Sequence, residues 1–156
     1  MDMSAIIGFL AVHRTPIAEE ARIGIRVVAE IVDHQEPGLF EPDQSQSAAW
    51  NRGGYLVTGL GHCGACHTPK NYFGADKTAQ ALSGNEVGGW YAPRLDGAAR
   101  TGLKSWSVED ITEYLQSGRN VKSHAGGLMA EVVVGSTSKM SDADVRAIAE
   151  YLKSLP

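Results

Sequence analysis

The chain is short of thiols: Cys63 and Cys66 are its only cysteines in 156 residues, so no network of disulfides can staple it. A structural zinc site normally draws two ligand pairs from separated segments, and no second Cys/Cys or Cys/His pair is spaced for one. No apolar run approaches the roughly 18 residues of a membrane-crossing helix. Basic charge is also scarce. Lys and Arg number 14 against 18 Asp and Glu, a formal net charge of −4, which argues against nucleic acid as a partner. What is present is ordinary for a folded chain, with 43% apolar and 21% charged residues and room for one domain plus an additional segment.

Both thiols fall in one pentapeptide, Cys63-Gly64-Ala65-Cys66-His67. That spacing is the attachment signal for a c-type haem. Two thiols separated by two residues add across the two vinyl groups of one porphyrin, and the histidine that follows sits beneath the iron as proximal ligand. The rival is a thiol–disulfide centre, which needs Cys-x-x-Cys at the head of a helix in a thioredoxin-like sheet. Tyr55-Leu56-Val57 would serve as a preceding strand, but no strand–helix alternation follows it. Bacterial attachment of this haem occurs after export, whereas Met1-Asp2 lacks the basic start of a signal peptide. The expectation is therefore a removed signal, or a piece of a longer exported chain.

From Trp50 onward the expected order is helix, loop, helix, loop, helix. Ser47 to about Leu60 leads into the haem motif with Gly53 and Gly54 on it. Each helical glycine costs about 1 kcal/mol relative to alanine, so close packing against another helix is the expected reason for at least one. Thr68 to Ser105 is glycine-rich and lacks sustained periodicity, and is expected to wrap as a long loop around a cofactor that replaces part of the core. Ser107 caps the next helix with Asp110 at the third position, Val108, Ile111 and Leu115 on one face, Trp106 and Ile111 as a staple, and Gly118 as the stop. Ser141 caps the last, with Met140 and Val145 as the staple pair and Val145, Ile148, Leu152 and Leu155 as its buried stripe.

The first 46 residues differ. Thr15-Pro16 ahead of Glu19 and Glu20 opens a helix, Val27, Val28, Ile31 and Val32 give it an apolar face, and Pro37-Gly38 stops it. Ala5-Ile6-Ile7-Gly8-Phe9-Leu10 echoes Ala147-Ile148-Ala149-Glu150-Tyr151-Leu152, either by chance between amphipathic helices or because residues 1–13 are the tail of a preceding domain of the same kind. The expected organisation is a helical extension or interdomain segment over 1–46. An all-α domain over 47–156 follows, with its helices packed around one covalently bound haem.

An electron-transfer haem with six ligands needs a second axial group, usually methionine or histidine. Met1 and Met3 lie in the wrong segment, which leaves Met129, Met140, His62 and His124. Met140 has a structural task as the staple before the last helix. Met129 follows Gly126-Gly127-Leu128 in what is expected to be a flexible loop able to reach the distal face, and is favoured. Trp90, Tyr91, Pro93, Leu95 and Trp106 are candidate pocket residues, with the Trp106 indole N–H placed to reach a propionate. Each would equally serve as plain core.

Several separate motifs occur in order: Trp50-Asn51-Arg52-Gly53, Tyr55-Leu56-Val57, Gly59-Leu60-Gly61-His62-Cys63, Gly89-Trp90-Tyr91-Ala92-Pro93, Ser105-Trp106-Ser107, Gly118-Arg119-Asn120 and Met129-Ala130-Glu131-Val132-Val133. With them, about residues 39–156 resemble cytochrome c of the His/Met type, and more closely a family of cytochrome c subunits. Members of that family serve membrane-associated dehydrogenases of alcohols, aldehydes, gluconate and related substrates. They commonly carry three cytochrome domains, and this stretch is similar to the last. The resemblance implies a small cytochrome c fold, one haem c bound through Cys63 and Cys66, and His67 and Met129 as iron ligands. Arg94 departs from the family's usual asparagine after Ala92-Pro93, and Ile17–Val32 matches the interdomain segment poorly.

The function implied is one-electron transfer rather than catalysis. The donor would be the catalytic subunit of a partner dehydrogenase, and the acceptor a quinone, a cytochrome or a terminal oxidase. The place would be the bacterial periplasm or the periplasmic face of the inner membrane, with membrane association through partners alone. The alternatives are an independently diffusing carrier, and a haem enzyme or sensor with an open distal position.

Overall fold

Helix α1 (Ala48–Tyr55) starts where the Ser47 hydroxyl accepts the Trp50 backbone N–H at 3.0 Å, in a computed structural model that describes residues 40–98 and 102–156. The expectations for residues 1–13, for the helix over Thr15–Val32 and for its Pro37-Gly38 stop lie outside the described residues. The winding of α1 loosens into a π-turn over Leu56–Leu60, where the Gly61 N–H reaches the Leu56 carbonyl at 2.7 Å. Such turns are frequent at functional sites. His62 then swings the chain through the left-handed region (φ 47°) into the five-residue helix α2 (Cys63–His67). The helix expected from Ser47 to about Leu60 is present, its last turn wound as a π-turn, and the corner at His62 follows it.

The long wrap that follows holds an element the periodicity did not announce. Strands β1 (Asn85–Val87) and β2 (Trp90–Ala92) pair antiparallel, with Asn85 opposite Ala92 and Val87 opposite Trp90. Gly88 and Gly89, at φ 57° and 80°, form the two-residue turn that needs both positive angles. Three-residue strands are too short for alternation to register.

Helix α3 (Val108–Ser117) carries the expected capping box, in which Ser107 Oγ accepts the Asp110 N–H at 3.0 Å and the Asp110 carboxylate accepts the Ser107 N–H at 2.8 Å. Gly118 closes it in the left-handed conformation. Helix α5 (Asp142–Ser154) is capped by Ser141 as expected. Between them lies a further helix, α4 (Gly127–Gly135), where a flexible loop was expected. Its sequence, with glycine at both ends and three consecutive valines, argues against a helix locally. Val133 in the core supplies the tertiary reason for it.

Helices α1 and α5 approach each other closely through their backbones. A Cβ on Gly53 would collide with the Ala147 carbonyl, and one on Gly54 would meet the rings of Phe40 and Tyr151. Both glycines thus have the packing role expected of at least one. Trp50 ties the same two helices by donating its indole N–H to Ser154 Oγ at 2.7 Å and by meeting the Tyr151 ring edge-on at 5.0 Å. Behind this contact Leu56, Val57, Ile111, Leu115, Val145, Ile148 and Leu152 form the apolar core. Phe40 packs at 6.3 Å from Trp50, so residues just ahead of position 47 also lie against α1. Among the described residues no helix is long and apolar enough to cross a membrane.

Candidate haem site

Helix α2 places Cys63 and Cys66 one turn apart as free thiols. Burial pushes the Cys63 thiol up to about 11. His67 ends the helix and is only 8% exposed. Burial lowers its imidazole pKa, opposed by the hydrogen bond to Pro93. A carbonyl can only accept, so the 2.6 Å contact fixes the proton on Nδ1, which donates to the Pro93 oxygen. The Nε2 lone pair is left for a metal, and the ring cannot rotate away from it.

The backbone around His67 is held as firmly as its ring. The His67 carbonyl accepts the Gly84 N–H at 2.8 Å. Buried Thr68 accepts the Leu82 N–H on its hydroxyl at 3.0 Å, and the Leu82 carbonyl accepts the Leu95 N–H at 2.9 Å. Leu82 does this at φ 59°, a left-handed angle that costs a leucine roughly 1–3 kcal/mol and persists only where the surroundings impose it. Gly84 has no room for a side chain, because a Cβ there would lie 2.9 Å from the Tyr91 hydroxyl.

The residues singled out from sequence fall into three groups. Pro93 reaches His67 through its carbonyl, and Tyr91 lies over Gly84 beside it. Leu95 and Trp106 are partly buried against the core, with the Trp106 ring edge-on to Tyr114 at 5.5 Å. Trp90 is exposed and lies on Gly127, in the turn of α4 that carries Met129. Met129 is itself partly buried against the core, on a helix rather than the flexible loop expected for it. Arg94, the departure from the family pattern, is spent in a bidentate pair with Asp96 at 2.9 and 2.5 Å.

The residues fit a haem. One ring nitrogen is fixed and free, two thiols share its short helix, and Leu60, Trp90, Tyr91, Leu128 and Val132 leave large apolar surface uncovered on the elements that carry or adjoin the motif and Met129. A flat apolar group would cover such surface. Sequence reasoning missed Thr68, Leu82 and Gly84, and read Gly127 only as part of a flexible approach to Met129. Only the Gly88-Gly89 pair, a hairpin-turn signal, pointed toward the strand that organises them.

A small, mostly α-helical domain whose buried histidine is locked beside two thiols one turn apart has the donor set of a covalent haem-binding domain of the c type. The profile of the cytochrome c family matches residues 52–156, and the chain belongs to that family. As a cytochrome c it is an electron-transfer protein whose family implies covalently bound haem c. It is 39% identical over 90% of its length to the fructose dehydrogenase cytochrome subunit of Gluconobacter japonicus. It is 44% identical over 74% of its length to the gluconate 2-dehydrogenase cytochrome c subunit of Pantoea cypripedii. The chain spans 28% of the length of each of these relatives. A diheme c-type cytochrome of Cereibacter sphaeroides is 47% identical over 67% of the chain and 35% of its own length.

Proposed function

We propose that this chain takes single electrons from the catalytic subunit of a partner dehydrogenase and passes them to a quinone, a cytochrome or a terminal oxidase. We place it at the periplasmic face of a bacterial inner membrane, with membrane contact made by its partners. Residues 47–156 are the electron-carrying domain and 1–46 a helical extension or an interdomain segment. When bound, one haem c supplies a one-electron iron couple. Cys63 and Cys66 would tether it, and His67 Nε2 and the Met129 sulfur would hold its iron. The observation that carries this reading is the Pro93 carbonyl locking the buried His67 ring in the tautomer a metal needs. A methionine ligand would favour the ferrous state and raise the potential. It would also separate a carrier from an enzyme or sensor, which would keep that position open.

The dehydrogenase-subunit relatives support the donor. One surface feature favours a standing subunit over a diffusing carrier. Tyr72 and Phe73, 96% and 80% exposed, stand edge-to-face at 5.4 Å soon after His67. Their turn is braced from within: Asn71 Oδ1 accepts the Phe73 and Ala75 N–H groups at 2.9 and 3.1 Å, and Lys70 pairs with Asp76. Rigid aromatic anchors suit a buried subunit contact, whereas diffusing carriers rely on charged rings. Co-purification at native levels, then stopped-flow haem reduction across an ionic-strength series, tests the reading. The expected result is a complex with a dehydrogenase and a reduction rate only mildly sensitive to salt. Recovery of the haem protein alone, with a rate falling steeply as salt rises, would favour the independent carrier.

A further inference from the structure

Met129 leaves the chain from a turn that its own sequence holds poorly. Gly126, the residue ahead of α4, offers no side chain to cap the helix, and Gly127 opens it at a left-handed φ of 51°. Two glycines in a row and no cap leave the first turn with high conformational freedom. The turn is fixed from outside. The Trp90 indole lies on Gly127, whose Cβ, if it had one, would sit 2.5 Å from ring carbons Cδ2 and Cε2. The same ring reaches the space beside Gly126, 3.8 Å from where that Cβ would be. Two residues back, the hairpin turn at Gly88 comes beside Leu128 on the same helical turn, a Cβ there lying 3.7 Å from Leu128 Cδ1.

Trp90 is not part of the apolar core cluster of the domain. Three residues on, the same segment supplies the Pro93 carbonyl that locks His67. Residues 90–93 thus reach the segments of both proposed iron ligands.

We propose that Trp90 is the positioning residue for the Met129 side of the haem, holding the two-glycine turn so that the methionine stays on the iron. This rests on the assignment of Met129 as axial ligand. The physical consequence is a closed–open equilibrium at the sixth position, closed when the turn is packed under the indole. An exogenous ligand such as carbon monoxide binds only the open form, so its apparent affinity rises in proportion to the open fraction.

The test uses the mature holoprotein, with carbon monoxide as probe and the near-infrared sulfur-to-iron band of the oxidised form as second readout. Trp90→Ala should weaken the band and raise carbon monoxide affinity by roughly tenfold, about 1.4 kcal/mol of lost closure. Trp90→Phe, which keeps a ring on Gly127, should stay within about twofold of wild type. In a Met129→Ala background Trp90→Ala should add nothing, because there is no closure left to weaken. An unchanged band and affinity in Trp90→Ala overturns the proposal, as does an equal gain in both backgrounds, which would mark a direct pocket effect. If Trp90→Ala does not mature, Trp90→Leu carries the same expectation. A wild-type protein without the band would instead remove the methionine assignment, and this inference with it.

Discussion

Met129 and Met140 are both partly buried against one core, so burial does not choose between them as ligand. Position does. Met140 directly precedes the Ser141 cap of α5, while Met129 emerges from the glycine turn under Trp90. Met129→Ala should abolish the near-infrared sulfur band and admit carbon monoxide. Met140→Leu should keep both behaviours, at a cost under about 1.5 kcal/mol for a volume-conserving exchange. The reverse pattern would move the assignment to Met140. Thr68 offers a second test at this scale. Its hydroxyl is the acceptor for the Leu82 N–H in a buried setting. Thr68→Val strands that donor and should destabilise the holoprotein by about 1–3 kcal/mol in urea. Thr68→Ser, which keeps the acceptor, should lose clearly less.

Among the elements, α1 and α5 depend on an absence of side chain and α3 on the presence of one. Gly53→Ala would drive a methyl into the Ala147 carbonyl, backbone that cannot swing aside. We expect a loss of about 3 kcal/mol or failure to mature, at the upper end of overpacking costs, although alanine is the better helix former. Ser107→Ala removes one half of the capping box and should cost about 1 kcal/mol. Thermal denaturation of the two variants ranks them, and Ser107→Ala losing more than Gly53→Ala would contradict this account of the α1–α5 contact. The helices are further linked by Arg52 on Asp144 at 2.7 Å and by Gln116 donating to Asp142 at 2.7 Å.

For the whole molecule, acid is the natural stress. The Arg94 guanidinium holds Asp96 below the usual carboxylate range, Arg52 does the same for Asp144, and the Ser107 backbone N–H does so for Asp110. A carboxylate whose folded pKa is depressed contributes stability that is complete above its unfolded value, 3.8, and is lost as pH falls through the folded one. Urea midpoints should therefore be level with respect to these groups above about pH 5 and fall as pH drops below about 4. Asp96→Asn and Asp144→Asn should start lower and lose less over that window. Midpoints that fall equally in wild type and both variants would show that these pairs do not govern acid stability.

The haem motif, the caps at Ser107 and Ser141, the stop at Gly118 and Val145, Ile148 and Leu152 of the α5 stripe were legible from sequence, whereas Leu155 falls past the end of α5 and is only partly buried. Each is local chemistry: a side chain acting on backbone within four residues, or a periodicity sustained over three turns. Other features were not legible, because their causes lie far along the chain. Helix α4 forms despite glycine ends and a valine run, with Val133 in the core and its first turn lying under Trp90. Leu82 is left-handed because Thr68 and Leu95 engage its two backbone groups. His67 was identified from a pentapeptide, yet the nitrogen it keeps free is decided 26 residues away, at the Pro93 carbonyl. Sequence determined which atoms could meet an iron. The tertiary structure decided how they are held, because orientation depends on contacts between segments that no local pattern records.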